Sequence, residues 1–99
     1  MARHDVFAHV GGDGYLLDVQ ADLLETLNTR VVVPLLPLAA APKPAARLNP
    51  VFTVAGIEVV MATQFLAAVP VSILSPPVAN LGSEHDRIVA ALDMLFQGF

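Results

Sequence analysis

The sequence predicts a mainly β fold, a small barrel or twisted antiparallel sheet with one C-terminal α-helix packed on it. Short apolar and β-branched segments separated by Gly- and Pro-rich turns occupy the first 80 residues. A helical repeat of apolar residues begins only after residue 83. A chain of 99 residues can bury one core, so we expect a single domain over residues 1–99.

The first half of the chain contains three predicted strands. Residues 5–9 and 15–19 surround a glycine-rich turn and predict a β-hairpin, and residues 21–30 predict a connecting loop. Residues 30–36 are β-branched and apolar throughout, which is typical of a strand buried on both faces. Pro34 has no N–H to donate to a neighbouring strand, so we expect it at a sheet edge or a bulge.

The second half begins with the clearest hairpin. Residues 51–54 and 57–62 alternate around Gly56, which supplies the positive φ that a tight turn needs. Residues 65–74 predict one or two further short strands around Pro70.

One helix is predicted, starting near Ser83, whose hydroxyl is expected to cap it. Its apolar residues recur at helical spacing and form a stripe of Ile88, Val89, Leu92, Leu95 and Phe96.

The end of the sequence holds two aromatic side chains, Phe96 and Phe99, around Gly98. An apolar segment in this position must either pack into the core or contact a partner.

Composition limits the functional classes. Of the 99 residues, 56% are hydrophobic, which is more apolar surface than a domain of this size can bury alone. This composition favours a homo-oligomer. A net charge of −4 with five scattered basic residues argues against direct nucleic-acid binding. Without cysteine, disulfides are excluded. Prolines interrupt the uncharged stretch 59–82, and the start carries no apolar signal segment, so we expect a cytoplasmic protein with no membrane partner.

Catalytic patterns are weak. The three histidines, His4, His9 and His85, have no metal-ligand spacing, and we expect each at the surface, with His85 solvated in the first helical turn. Five carboxylates in the first quarter have no spacing that forces a pair together, and no nucleophile elbow or phosphate loop is present. The sequence therefore predicts a protein that is not an enzyme and needs no metal or cofactor.

Four separated segments resemble the CcdB family, the toxin half of toxin–antitoxin pairs. They are LDVQADLL at 17–24, RVVVPL at 30–35, AVPVSIL at 68–74 and LFQGF at 95–99. The resemblance implies an SH3-like barrel with a C-terminal helix that works as a symmetric homodimer. It also implies binding to the A subunit of DNA gyrase, stalling of that enzyme on cleaved DNA, and neutralisation by a cognate CcdA-like antitoxin.

The resemblance also implies three contact surfaces. The gyrase-facing set consists of Phe96, Gln97, Gly98, Phe99, Asp93, Leu23, Leu24 and Phe7. The antitoxin-facing set consists of Val10, Gly11, Gly12, Asp13 and Tyr15. The dimer-interface set consists of Val69, Val71 and Ile73.

Two departures from the family pattern affect these expectations. Gln97 stands where the family has tryptophan, and glutamine supplies neither the buried area nor the stacking of an interface anchor. The loop 10–15 has no basic residue, whereas family members can carry several there, matched to an acidic antitoxin tail.

Three hypotheses follow, of which the first is a gyrase-poisoning toxin. The second is a non-toxic relative that binds antitoxin, as a decoy or operon regulator, without touching gyrase. The third is a nuclease of related barrel shape, whose RNA cleavage would depend on Arg30 or His85.

Overall fold

The structure is a computed structural model that describes residues 2–9, 12–41 and 43–99. The elements are β1 (Asp5–Ala8), β2 (Tyr15–Asp18), β3 (Thr29–Pro37), β4 (Val51–Val54), β5 (Ile57–Met61), β6 (Ala67–Pro70), β7 (Ala79–Asn80) and α1 (His85–Gln97). The strands form one barrel-like antiparallel sheet in the order β4-β5-β3-β2-β1-β7, with β6 also paired to β3. The mainly β prediction is confirmed.

Strand β3 is the centre of the sheet. Its first half pairs with β6, its second half pairs with β5, and β2 lies along its other side. Pro34 sits where β3 changes partner from β6 to β5, and its carbonyl accepts the Ala62 N–H at 2.9 Å. Of the two positions predicted for Pro34, a sheet edge or a bulge, the edge is wrong, because β3 has partners on both sides. The nitrogen and the carbonyl of a strand residue point to the same side of the strand. The carbonyl of Pro34 faces the side that β6 and β5 share, so its nitrogen faces that side too. The lack of an N–H therefore costs no hydrogen bond to β2.

The prediction that β3 is buried on both faces is confirmed. Val33 and Leu35 belong to the main apolar core, which also receives Ile88 of α1. Val32 points to the opposite face, where it packs with Phe7 and Leu16 in a smaller buried cluster. A continuous apolar run is therefore needed, since successive side chains of a strand alternate between the two faces.

Both predicted hairpins are present. Strand β1 pairs with β2, and β4 pairs with β5. In the second turn Ala55 and Gly56 both have positive φ, at 51° and 79°, the sign that a tight two-residue hairpin turn requires at both positions. The segment 65–74 contributes a single strand, β6, followed by a 3-10 turn at Val71–Ile73.

Helix α1 starts two residues later than predicted. A 3-10 turn at Gly82–Glu84 precedes it, and neither element has a side-chain cap, so the expected Ser83 cap is wrong. The Oδ1 atom of Asn80 instead accepts the Gly82 N–H at 2.7 Å, which fixes the turn from the preceding strand. Among the described residues, no helix is long and apolar enough to cross a membrane.

A buried ion pair joins β2 to β3. The Arg30 Nε atom donates to the Asp18 Oδ2 atom at 2.7 Å, and the Arg30 Nη2 atom lies 2.6 Å from the same oxygen. The Gln20 N–H donates to the other oxygen at 3.0 Å. Burial raises the pKa of Asp18, and the bonds from Arg30 and Gln20 oppose that shift. Both side chains are almost completely inaccessible, so each charge depends on the other.

We expect Arg30→Met to lower the free energy of unfolding by roughly 3–5 kcal/mol, because it leaves a buried carboxylate without its partner. The double variant Asp18→Leu/Arg30→Met should recover most of that loss, since it removes both charges and keeps similar volumes. Urea unfolding of the wild type, both single variants and the double variant measures this coupling. Additive losses would show that the two charges do not depend on each other.

Candidate functional site

An apolar groove lies between the segment that precedes β3 and the second half of α1. Its walls are mostly aliphatic, and Phe96 closes one side. Burying large apolar side chains drives most protein association, so an open groove of this composition is suited to a protein partner. The apolar groove is lined by Val19, Gln20, Ala21, Leu24, Leu27, Thr29, Val31, Leu66, Leu92 and Phe96.

The first wall of the groove is a 3-10 turn at Asp22–Leu24, which buries none of its residues. The side chain of Gln20 attaches this turn to the sheet. Its Nε2 atom donates to the Leu24 carbonyl at 3.1 Å, and its Oε1 atom accepts the Val31 N–H at 3.1 Å. The turn therefore presents Leu23 outward, with 91% of its surface exposed.

The second wall is the C-terminal part of α1. Leu92 and Phe96 are one helical turn apart, which places both side chains on the groove. Gly98 ends the helix in the left-handed region, with φ 81°, and donates its N–H to the Met94 carbonyl at 3.1 Å. Phe96 and Phe99 are 68% and 70% exposed, so the terminal aromatics are not part of the core.

Two of the eight predicted gyrase-facing residues line this groove, and Leu23, Asp93 and Gln97 are close to them in the sequence. Leu24 and Phe96 line the same groove although they are far apart in the sequence. Gln97 is exposed, and its amide donates to the Asp93 carboxylate at 3.3 Å along the helix. The placement of Phe7 on this surface was wrong. Its side chain is completely buried, because the alternation of β1 turns it into the smaller cluster with Leu16 and Val32.

Three of the predicted antitoxin-facing residues lie away from the apolar groove. Gly12, Asp13 and Tyr15 line a second depression with His9 and Ile57. Val10 and Gly11 fall outside the described residues. The backbone of Gly12 approaches the His9 ring so closely that a Cβ atom would collide with it. Among the described residues that line this depression, Asp13 carries the only charged side chain apart from His9.

The predicted dimer residues belong to β6 and the turn that follows it. Val69 is half-buried against the smaller cluster, Val71 is half-buried, and Ile73 is 48% exposed. Strand β6 pairs only with β3 in the described part of the chain. The self-association that these residues were predicted to support stays a prediction.

The titratable groups are arranged differently from the expectation. His4 is buried, with 5% of its surface exposed, so its placement at the surface was wrong. Its Nε2 atom lies 2.8 Å from the His85 Nδ1 atom. Arg30 instead bonds to Asp18, so the two residues named for a nuclease have separate partners. Within residues 2–9, 12–41 and 43–99, no group of three His, Cys, Asp or Glu side chains could hold a metal ion.

Sequence reasoning missed part of the groove. Leu27 is 48% exposed, and Leu66 forms another part of the wall. The spacing of Leu23, Leu24 and Leu27 in an otherwise polar segment is the available signal, and the predicted gyrase-facing set includes the first two of these leucines but not Leu27. Nothing local in the sequence indicates that Leu66 lies beside it.

The fold and the groove together describe a small β-barrel protein with an open apolar groove on its surface. The profile of the CcdB protein family matches residues 3–98, and the chain belongs to this family of toxin–antitoxin toxins. The barrel also resembles a solved structure described as an endoribonuclease in complex with its cognate antitoxin from Mycobacterial species. That similarity has a TM-score of 0.74 at 15% identity and covers 95% of this chain and 92% of the other.

We expect Gly98→Ala to disturb the end of α1 and little else. A Cβ atom there would meet no neighbour within 4 Å, but alanine disfavours the positive φ by about 1 kcal/mol. The N–H of residue 98 should therefore exchange faster with solvent while the melting temperature changes little. Gln97→Ala, at a position with helical backbone, should leave that exchange rate unchanged. Equal exchange in both variants would contradict the proposed role of Gly98.

Proposed function

We propose that this CcdB-family protein binds the A subunit of DNA gyrase through the apolar groove and the exposed side chains beside it, and that it poisons the gyrase–DNA complex. The observation that carries the proposal is the joint exposure of Leu23, Phe96 and Phe99 at the position where the family resemblance implies gyrase contact. An antitoxin that covers or remodels this protein would neutralise it.

The free energy of binding can come from the burial of a small number of exposed side chains. Full burial of a leucine or phenylalanine side chain contributes about 1.5–3 kcal/mol relative to leaving it exposed. Leu23, Phe96 and Phe99 are each more than two-thirds exposed, so most of that contribution is still available to a partner. Interfaces commonly depend on a few such anchors surrounded by weaker contacts.

We expect Phe96→Ala and Leu23→Ala each to weaken binding of purified gyrase A by about 10-fold or more, because a buried anchor typically contributes at least 1–2 kcal/mol. Surface plasmon resonance with the immobilised gyrase subunit measures the affinities. Ile57→Ala is the matched control, since Ile57 is 51% exposed on β5 and does not line the groove.

Two results would contradict the proposal. One is the absence of measurable binding between the wild type and gyrase A, together with normal growth and plasmid supercoiling when the protein is expressed without antitoxin. The other is RNA cleavage by the purified protein that is retained in the Phe96→Ala and Leu23→Ala variants. The second result would favour a nuclease whose activity does not depend on the apolar groove.

A second function is favoured by Gln97. Its amide bonds back to Asp93 along the helix, so it presents a polar group beside Phe96 instead of a large apolar one. A protein with a weakened gyrase contact could still bind antitoxin, either as a decoy or as an operon regulator. The similarity to the endoribonuclease solved with its antitoxin supports an antitoxin partner. With Asp13 on the second depression, that partner would not use an acidic tail there.

The substitution Gln97→Trp separates the two functions. If gyrase binding is only weakened, tryptophan should strengthen it by roughly 30-fold, the effect of an anchor contributing about 2 kcal/mol. Growth inhibition on expression and affinity for gyrase A should rise together. Gln97→Leu is the control for added apolar area without stacking. If Gln97→Trp binds antitoxin normally and still fails to bind gyrase, the protein is an antitoxin-binding module.

A further inference from the structure

A pair of histidines, His4 and His85, joins the start of the described chain to the start of α1. The Nε2 atom of His4 lies 2.8 Å from the Nδ1 atom of His85, and the two rings meet edge to face with centroids 5.1 Å apart. His4 has a φ of 72°, in the left-handed region. The Nδ1 atom of His4 is buried without a hydrogen-bond partner. We call His4 and His85 the histidine pair.

The histidine pair stands where several elements are tied together. The backbone N–H of His4 donates to the Asp18 carbonyl at 2.7 Å, and its carbonyl accepts the Leu81 N–H at 2.8 Å. The N–H of Arg3 donates to the Asp22 carboxylate at 2.7 Å. Through these bonds and the histidine pair, the segment around His4 holds the turn Asp22–Leu24, which forms one wall of the apolar groove, and the start of α1, whose C-terminal part forms the other wall.

A hydrogen bond between two imidazoles requires one nitrogen to donate and the other to accept. The histidine pair can therefore hold one added proton and keep its hydrogen bond. With two added protons, both of the facing nitrogens become donors and the two rings carry like charges. Burial, the Arg3 charge and His85 lower the pKa of His4, and the Asp22 carboxylate opposes them.

The other charged groups near the histidine pair are already engaged or lie on the exposed side. Asp5 on β1 accepts the Ala2 N–H and the Asn80 amide, and Asp18 on β2 is bonded to Arg30. On α1 and the turn before it, Glu84 and Asp86 flank His85 in the sequence, and Glu84 pairs with Arg87. In the structure none of these carboxylates accepts a hydrogen bond from the His4 ring in place of His85.

We propose that the histidine pair is a pH-sensitive contact that attaches α1 to the N-terminal segment, and that its double protonation in mildly acidic conditions loosens both walls of the apolar groove. The proposal extends the proposed function, because it makes the partner-binding surface responsive to pH. It does not depend on which partner binds.

The direction of the pH effect follows from proton binding. An unfolded or opened chain has two ordinary imidazoles that take up two protons below about pH 6.5, whereas the closed pair accepts only one without losing its bond. The opened state therefore binds more protons, so stability is present above pH 6.5 and is lost as the pH falls below it. The equilibrium constant for opening should rise up to about 10-fold per pH unit.

The test measures urea unfolding and amide hydrogen exchange of the free protein at pH 7.5, 6.5 and 5.5. In the wild type, the equilibrium constant for unfolding should rise about 5-fold between pH 6.5 and 5.5, and protection of the His4 and Leu81 amides should fall in parallel. His4→Asn, whose asparagine tolerates the positive φ, should reduce that rise to about 2-fold or less.

The variant His85→Asn removes the second charge and keeps an oxygen near the position of the Nδ1 atom. It should retain the contact at pH 5.5 and show a rise of about 3-fold or less. His9→Asn is the control and should behave as the wild type, because His9 is not part of the histidine pair. A wild-type pH dependence in either His4→Asn or His85→Asn would overturn the proposal. Because no partner is added, this outcome is independent of any failure to bind gyrase.

Discussion

Strand β3 is the constraint on which the rest of the structure depends. It pairs with β2 along one side and is shared along the other side by β6 and β5. This sharing lets a short sheet curve into a barrel and explains how Pro34 is accommodated in an interior strand. It also fixes Arg30 beside Asp18 and places Val31 in the wall of the apolar groove. The apolar core, the buried ion pair and the apolar groove therefore all include residues of β3.

The apolar groove is a consequence of the topology rather than of any local motif. The turn Asp22–Leu24 leads into β3, and α1 crosses the barrel to lie beside it. A chain with 56% hydrophobic residues must leave some of them outside a core of this size, and here Leu23, Phe96 and Phe99 are among those exposed. Three members of the exposed apolar set, Leu24, Leu27 and Phe96, line this one groove, as a contact surface would require.

Family membership and partner choice depend on different parts of the molecule. The family profile covers residues 3–98, which include the hairpin β1–β2, the long strand β3 and the terminal helix. The proposed gyrase contact depends on a few exposed groups, and one of these, Gln97, departs from the pattern that the family resemblance implies. Its amide donates to Asp93 on the same helix, so a polar group lies where the resemblance implies an aromatic anchor.

The sequence alone determined the fold class, both hairpins and the buried character of β3, and it left the terminal aromatics with two possible places, the core or a partner. These features depend on side-chain periodicity and turn residues, which are local. Only the tertiary structure decided that Phe7 is buried, that Leu66 and Leu27 complete the groove, and that His4 meets His85. Such contacts join residues up to 81 positions apart, and local patterns carry no information about which distant side chains become neighbours.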